Sequence, residues 1–248
     1  MKTLGIIPAR YASSRLMGKP LAKIGNLTMI QHVYNQVKQA KYIEKVIVAT
    51  DDERILKHVH SFGGEVMMTS KNHQSGTDRC AEVAKHFENE FDLVINIQGD
   101  EPFIQPDQID NLAELMTNND FQIGTLAKLL TSTIDLFNPN IVKVIFAHHK
   151  AIYFSRHPIP YIRDFENENW IYQYNFHKHI GMYAYRMKTL LKLTALMTSK
   201  LEFAESLEQL RWLENGYSIG IKTTKLETFG IDTPEDLKKA EQHFLSSK

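Results

Sequence analysis

Apolar positions in the first 120 residues follow two alternating rhythms. Continuous apolar runs at TLGIIPA (residues 3–9), KVIVAT (45–50), EVMMT (65–69) and DLVINIQ (92–98) have the length and β-branched character of buried strands. Between them, Met29, Ile30, Val33 and Val37 recur at helical spacing, and DDERILKHVHSFGG (51–64) reads as a helix begun by acids and stopped by glycine. Further helices are expected around Asp78 to Asn89 and after Pro106. This alternation implies right-handed βαβ crossovers and a mainly parallel sheet.

The second half is less regular. FQIGTLAKLL (121–130), VKVIFAH (142–148) and HIGMYAYR (179–186) read as strands, yet no clean crossover helix separates the first two. Residues 150–177, rich in Tyr, Pro, Arg and Asn, read as a functional excursion. Helices are expected at about 187–197 and 203–215, and TKLETFG (224–230) is strand-like. The last helix has a clear start, with Thr233 as N-cap, Pro234 at N1, then Glu235 and Asp236. The expectation is a single α/β domain over 1–248, mainly parallel in its N-terminal half and mixed in its C-terminal half.

Composition narrows the partners. The 248 residues are 43% apolar and 23% charged, which are ordinary globular values. Lys plus Arg equals Asp plus Glu at 29 each, so no cationic surplus exists to suit nucleic acid. Cys80, the only cysteine, excludes an intrachain disulfide and a Cys-rich zinc site, and fits a reducing compartment. The run Leu4 to Ala9 is too short for a signal segment, and no window nears the roughly 20 apolar residues of a membrane span. No membrane insertion and a cytoplasmic location are expected.

Charge is nonetheless uneven, since seven Lys or Arg residues precede the first carboxylate, Glu44. In open parallel sheets ligands bind beyond the carboxyl ends of the strands. The segments there are PARYASSRLMGKPL (8–21), ATDDE (49–53) and QGDEP (98–102). The first offers Arg10, Arg15 and Lys19 among small residues that let backbone N–H groups approach a phosphate. It is no P-loop, because Pro20 follows Lys19, and GxGxxG is absent. Asp100 and Glu101 fit either a solvated turn or a hard divalent cation that takes its other ligands from water and phosphate. A cationic loop beside an acidic one is the arrangement that a Mg²⁺–nucleoside triphosphate needs.

These segments, together with HQSGTDR (73–79), FNPNIVKV (137–144), YFSR (153–156), LEQLRWLENG (207–216) and GIDTPEDL (230–237), resemble the 3-deoxy-manno-octulosonate (KDO) cytidylyltransferases. The match runs in order along nearly the whole chain. One departure is Met17, where the family loop usually carries proline, which should loosen the loop without removing a charge. The resemblance implies a three-layer, Rossmann-like nucleotidyltransferase fold, CTP and KDO as substrates, Mg²⁺, and a homodimer whose interface is expected in 150–186. It also implies a CTP-binding half (1–120) and a sugar-binding and dimerisation half (121–248). Carried over, Arg10 and Lys19 hold the triphosphate and neutralise the transition state. Ser14, Ser75, Thr77 and Gln98 join them at the nucleotide, and Asp100 and Asp232 ligate the metal. Arg156, Arg163, His179, Glu208 and Gln209 contact the sugar acid.

Other readings remain open at this level. A related octulosonic or nonulosonic acid could be the acceptor, or the chain could be a non-catalytic nucleotide- or sugar-binding module. His148, His149 and His177 read as ordinary histidines, and Tyr183 and Tyr185 as packing. Glu202 and Glu205 read as a solvated acidic stripe, whereas Glu208 and Gln209, flanked by Leu207 and Leu210, can turn inward.

Overall fold

The computed structural model describes residues 1–12, 15–227 and 229–246. Strand β1 (Thr3–Ala9) leads into the cationic loop, a 3-10 turn at Lys19–Leu21, and a small hairpin of β2 (Lys23–Ile24) and β3 (Leu27–Thr28). Then come α1 (Met29–Val37), β4 (Lys45–Thr50), α2 (Glu53–Ser61), β5 (Val66–Met68), α3 (Gly76–Lys85), β6 (Leu93–Asn96) and α4 (Pro106–Thr117). The second half holds β7 (Ile123–Leu129), α5 (Thr133–Phe137), β8 (Lys143–Ala147), β9 (Lys150–Ser155) and α6 (Trp170–Gln173). It continues through β10 (His177–Arg186), α7 (Met187–Leu193), α8 (Lys200–Glu205), α9 (Glu208–Glu214), β11 (Ile219–Thr223) and α10 (Pro234–Ser246).

The main sheet runs β5-β4-β1-β6-β10-β7-β11-β9-β8. β1 pairs in parallel with β4 and β6, and β4 with β5, as the strand–helix alternation requires. β10 then enters between β6 and β7, antiparallel to both. Its start therefore lies at the same sheet edge as the ends of β1, β4 and β6. Alternate residues of the strands bury on opposite faces. Leu4 and Ile6 pack with Cys80, Val83, Leu190 and Trp212, whereas Ile7, Val46 and Val48 pack with Ile30, Val33, Ile55 and Leu112. Helices α3, α7 and α9 thus cover one face, and α1, α2 and α4 the other.

Four local expectations are corrected. The expected excursion at 150–177 instead begins with β9, paired to β8 through a turn at His148 and His149 with φ 49° and 59°. Histidines in left-handed conformation carry no glycine or asparagine signal, which hid the hairpin. The single helix expected at 203–215 is two, because Ser206 sits in the left-handed region at φ 51° and ends α8. The last strand among the described residues is Ile219–Thr223, and the described residues of 224–230 form none. Helix α3 starts at Gly76, earlier than expected, because Ser75 and Asp78 form a capping box.

The C-terminal helix returns the chain to its N-terminal loop. Ile231 and Ala240 are fully buried against Ile24 and Met29 of the small hairpin region. Burying an Ile side chain stabilises by about 1.5–3 kcal/mol, so this docking anchors whatever follows Ile231.

Candidate active site

A cleft of about 400 Å³ opens at the carboxyl edge of the parallel strands. Its walls come from the ends of β1 and β6, the loop holding Arg10, Arg15 and Lys19, the segment His73–Gly76 with Arg79, and Asp232. Each loop is held by local geometry. Gly18 has φ 68°, its N–H donates to the Tyr11 carbonyl at 2.9 Å, and a Cβ there would meet the Tyr11 ring at 3.0 Å. Arg54 lies over that ring, 3.3 Å from its centroid. At Gly99 a Cβ would stand 2.7 Å from the Pro8 carbonyl oxygen, so only glycine lets the β6 loop approach the end of β1.

Residues 100 and 232 are brought together by the backbone. The Ile231 N–H donates to the Asp100 carbonyl at 2.9 Å, and Asp232 and Thr233 N–H groups donate to Asp236 Oδ2 at 3.2 and 3.1 Å. Lys19 Nζ then bonds Asp100 Oδ2 at 2.6 Å and Asp232 Oδ1 at 3.0 Å, and Arg15 pairs with Asp232 Oδ2 at 3.0 Å. Two carboxylates from far-apart segments therefore share one ammonium. Arg10 is exposed at the cleft and has no ion pair among the described residues. Arg79, 4% exposed, is a cleft cation that sequence reading did not single out; it pairs with Asp51 at 2.8 Å, so the DDE motif serves to hold it. Ser14 lies outside the described residues.

The other expected nucleotide residues sit on the same edge in different ways. Ser75 lines the cleft and caps α3, accepting from the Asp78 N–H at 3.1 Å, which aims the positive end of α3 at the cleft. Gln98 also lines it and donates to the Gly181 carbonyl at 2.9 Å, tying β6 to an irregularity in β10 between Ile180 and Tyr183. Thr77 is buried beneath, and its hydroxyl donates to Glu208 Oε2 at 2.7 Å.

The expected sugar residues divide. His179, Glu208, Gln209 and Arg156 lie on β10, α9 and the end of β9, whereas Arg163 is on an exposed loop, 3.7 Å from Asp164, and joins none of them. His179 Nε2 lies 3.0 Å from Thr125 Oγ1, and its ring packs on Phe154 and Tyr183; burial pulls it down to about 3, so it is a neutral imidazole. Burial raises the Glu208 carboxyl, partly offset by its bonds to Thr77 and Ser75. Gln209 is 5% exposed. The Arg156 guanidinium donates to the carbonyls of Glu205, Pro139 and Ser206.

The solvated acidic stripe is corrected. Glu202 forms a two-pronged pair with Arg211 at 2.6 and 2.7 Å, and Glu205 accepts from Ser155 Oγ at 2.6 Å and the Arg156 N–H at 2.9 Å. The break at Ser206 turns α8 so that its acids face protein. Tyr183 and Tyr185 pack on Trp212, as expected.

A family model described as cytidylyltransferase matches residues 4–222. A 3-deoxy-manno-octulosonate cytidylyltransferase from Parabacteroides distasonis is 53% identical over 245 residues, 97% of each chain. One from Cytophaga hutchinsonii is 54% identical over 236 residues, 94% of each chain. A solved structure of CMP:2-keto-3-deoxy-manno-octonic acid synthetase complexed with CTP covers 100% of both chains with 40% identity and a TM-score of 0.93. The chain belongs to the cytidylyltransferase family, within its 3-deoxy-manno-octulosonate branch.

Proposed function

We propose that the protein transfers CMP from CTP to the anomeric hydroxyl of KDO, giving CMP-KDO and pyrophosphate for lipopolysaccharide synthesis. The observation that carries this is the convergence of Asp100 and Asp232 on Lys19 beside a cationic loop, in a chain about half identical to named KDO cytidylyltransferases. A module that only bound nucleotide would have no need of both carboxylates.

The charges account for the chemistry. The anomeric oxygen forms a bond to the α-phosphorus as the bond to the bridging oxygen breaks, and negative charge grows on the leaving pyrophosphate. Arg10 and Lys19 lie where cations lower the energy of that charge, and positioning supplies much of the remaining acceleration. The site fits Mg²⁺ in its donor chemistry: two hard carboxylates held together by the backbone, with room for phosphate oxygens and water. Asp100 and Asp232 would hold it, and it would neutralise triphosphate charge. Lys19, now their shared cation, is free to turn to a phosphate when another cation takes its place.

The division of labour follows the chain. Residues 1–120 together with Asp232 supply the CTP side, and the rest of 121–248 the sugar side, with His179, Glu208, Gln209 and Arg156 as acceptor contacts. Helices on both faces of the sheet support the three-layer reading, and the strand directions support a parallel first half and mixed second half. Exposed Ile152, Tyr161, Phe165 and Tyr172 support a homodimer contact within 150–186. No helix among the described residues is long and apolar enough to cross a membrane; a cytoplasmic location is part of the proposal.

Pyrophosphate release with CTP and a panel of sugar acids tests this reading. Turnover of KDO is expected. A protein that ignores KDO and accepts its 8-amino analogue would move the acceptor and keep the mechanism.

A further inference from the structure

Lys143 has no part in the chemistry above, yet it is a lysine with no exposed surface. Its ammonium has three N–H bonds, and it spends them on three backbone carbonyls: Asn138 at 3.0 Å, Ile141 at 2.6 Å, and Arg156. Burying an ammonium away from water is costly, and burial pulls this one down to about 8. An apolar side chain would fill the same space more cheaply, but it would leave those carbonyls without donors.

The three carbonyls share a purpose. Glu205 accepts the Arg156 N–H at 2.9 Å, while Lys143 takes the Arg156 carbonyl, so the two peptide groups flanking this residue are fixed from opposite sides by opposite charges. The 138–141 loop that Lys143 gathers also supplies the Pro139 carbonyl, which accepts from Arg156 Nη1 at 3.1 Å. Arg156 Nε donates to the Glu205 carbonyl at 2.7 Å, and Nη2 to the Ser206 carbonyl at 3.2 Å. That last carbonyl is turned toward Arg156 because Ser206 adopts the left-handed conformation. Three of the five guanidinium N–H groups are therefore committed to protein, and one on each terminal nitrogen remains. The guanidinium fork that carries those two is held in place by the three carbonyls. Ser206 is also the junction from which α9 starts, and α9 opens with Glu208 and Gln209.

We propose that Lys143 and Glu205 are positioning residues for the acceptor: together they aim the Arg156 fork at the sugar carboxylate and fix the α8–α9 junction. The proposal rests on the reading of Arg156 as a sugar-acid contact. Fixing a fork in advance lowers the entropy lost on binding a carboxylate, so the effect falls on the acceptor and spares CTP.

The test is a cycle of variants in the full-length protein, read by KDO-dependent pyrophosphate release and by CTP affinity from calorimetry. Lys143→Met is expected to lower kcat/KM for KDO about tenfold or more, chiefly through KM, with the Kd for CTP changed less than about twofold. Glu205→Gln, at a half-exposed and more tolerant position, is expected to shift the same quantity in the same direction. In an Arg156→Ala background, Lys143→Met is expected to add less than about a twofold loss, because the group that it aims is gone. A full tenfold loss in that background, equal damage to CTP affinity, or an unchanged KM for KDO in both single variants would overturn the proposal. If Lys143→Met does not fold, Glu205→Gln alone and combined with Arg156→Ala decides by the same criteria. Wild-type protein inert toward KDO would overturn the acceptor itself, a result separate from any ratio between variants.

Discussion

Thr77 Oγ1 donates to Glu208 Oε2 at 2.7 Å, joining the first turn of α3 to the first residue of α9 across 131 positions of sequence. A helix that begins at the nucleotide cleft is thus bonded to a residue proposed to meet the sugar.

Thr77→Val should weaken this tie measurably. It leaves a buried carboxylate short of a donor, which costs about 1–3 kcal/mol, and each kcal/mol lowers the thermal midpoint of a chain this size by about 2–4 °C. Glu208→Gln should act oppositely on stability. Because burial raises the Glu208 carboxyl, the native state holds that proton more tightly than the unfolded chain, and stability falls as pH rises through the folded pKa. Melting from pH 5 to 8 should show that fall in the wild type and a shallower one in Glu208→Gln. The same variant should lose kcat/KM for the sugar acid. Identical pH slopes would remove Glu208 as the source.

Metal dependence is expected to be strict. EDTA should abolish turnover, and Asp100→Asn and Asp232→Asn should each reduce it by about 10²-fold or more at limiting Mg²⁺, since each removes a charged oxygen ligand. Near-normal turnover by either variant would take that residue out of the metal site.

The cations should rank by place. Lys19→Ala and Arg10→Ala are expected to lower kcat/KM for CTP by about 10²-fold, equivalent to about 2.7 kcal/mol. Arg15, with 63% of its side chain exposed and paired to Asp232, should cost less. An Arg15→Ala loss equal to that of Lys19→Ala would place the triphosphate on the other side of the loop.

His179 should leave a signature in acid. Its native pKa, about 3, lies below the ordinary 6.5, so the unfolded chain binds the proton first. Stability is full above pH 6.5 and is lost as pH falls toward 3, by up to about 1.4 kcal/mol per pH unit. Urea midpoints between pH 7 and 4 should decline less steeply in His179→Gln than in the wild type. His177 and His58 also shift downward, which is why the comparison of variants, and not the slope alone, carries the assignment.

The parallel half was legible because each of its strands is a short apolar run bounded by polar loops, and each crossover helix has its own period. HIGMYAYR was recognisable as a strand, but its direction and its place between β6 and β7 were not. A strand buried on both faces carries no alternation that could reveal its neighbours. Lys19, Asp100 and Asp232 were readable from loop chemistry and family resemblance. The partners of Arg156 and Lys143 are backbone carbonyls, which every residue has, so no side-chain pattern marks them. Arg79 was hidden for a related reason, since its partner Asp51 belongs to a separate motif 28 residues away.

The insertion of β10 also sets the order in which competence can arise during folding. β1, β4 and β6 can pair as soon as their crossovers form, but Gln98 finds Gly181, and His179 finds Thr125, only after β10 has closed two long loops. Loop closure over such separations is slow compared with local helix formation. On dilution from denaturant, helical signal should therefore return first and transferase activity last. A proteolytic nick within 130–176 would leave the parallel strands paired while delaying or abolishing the union of donor and acceptor sites.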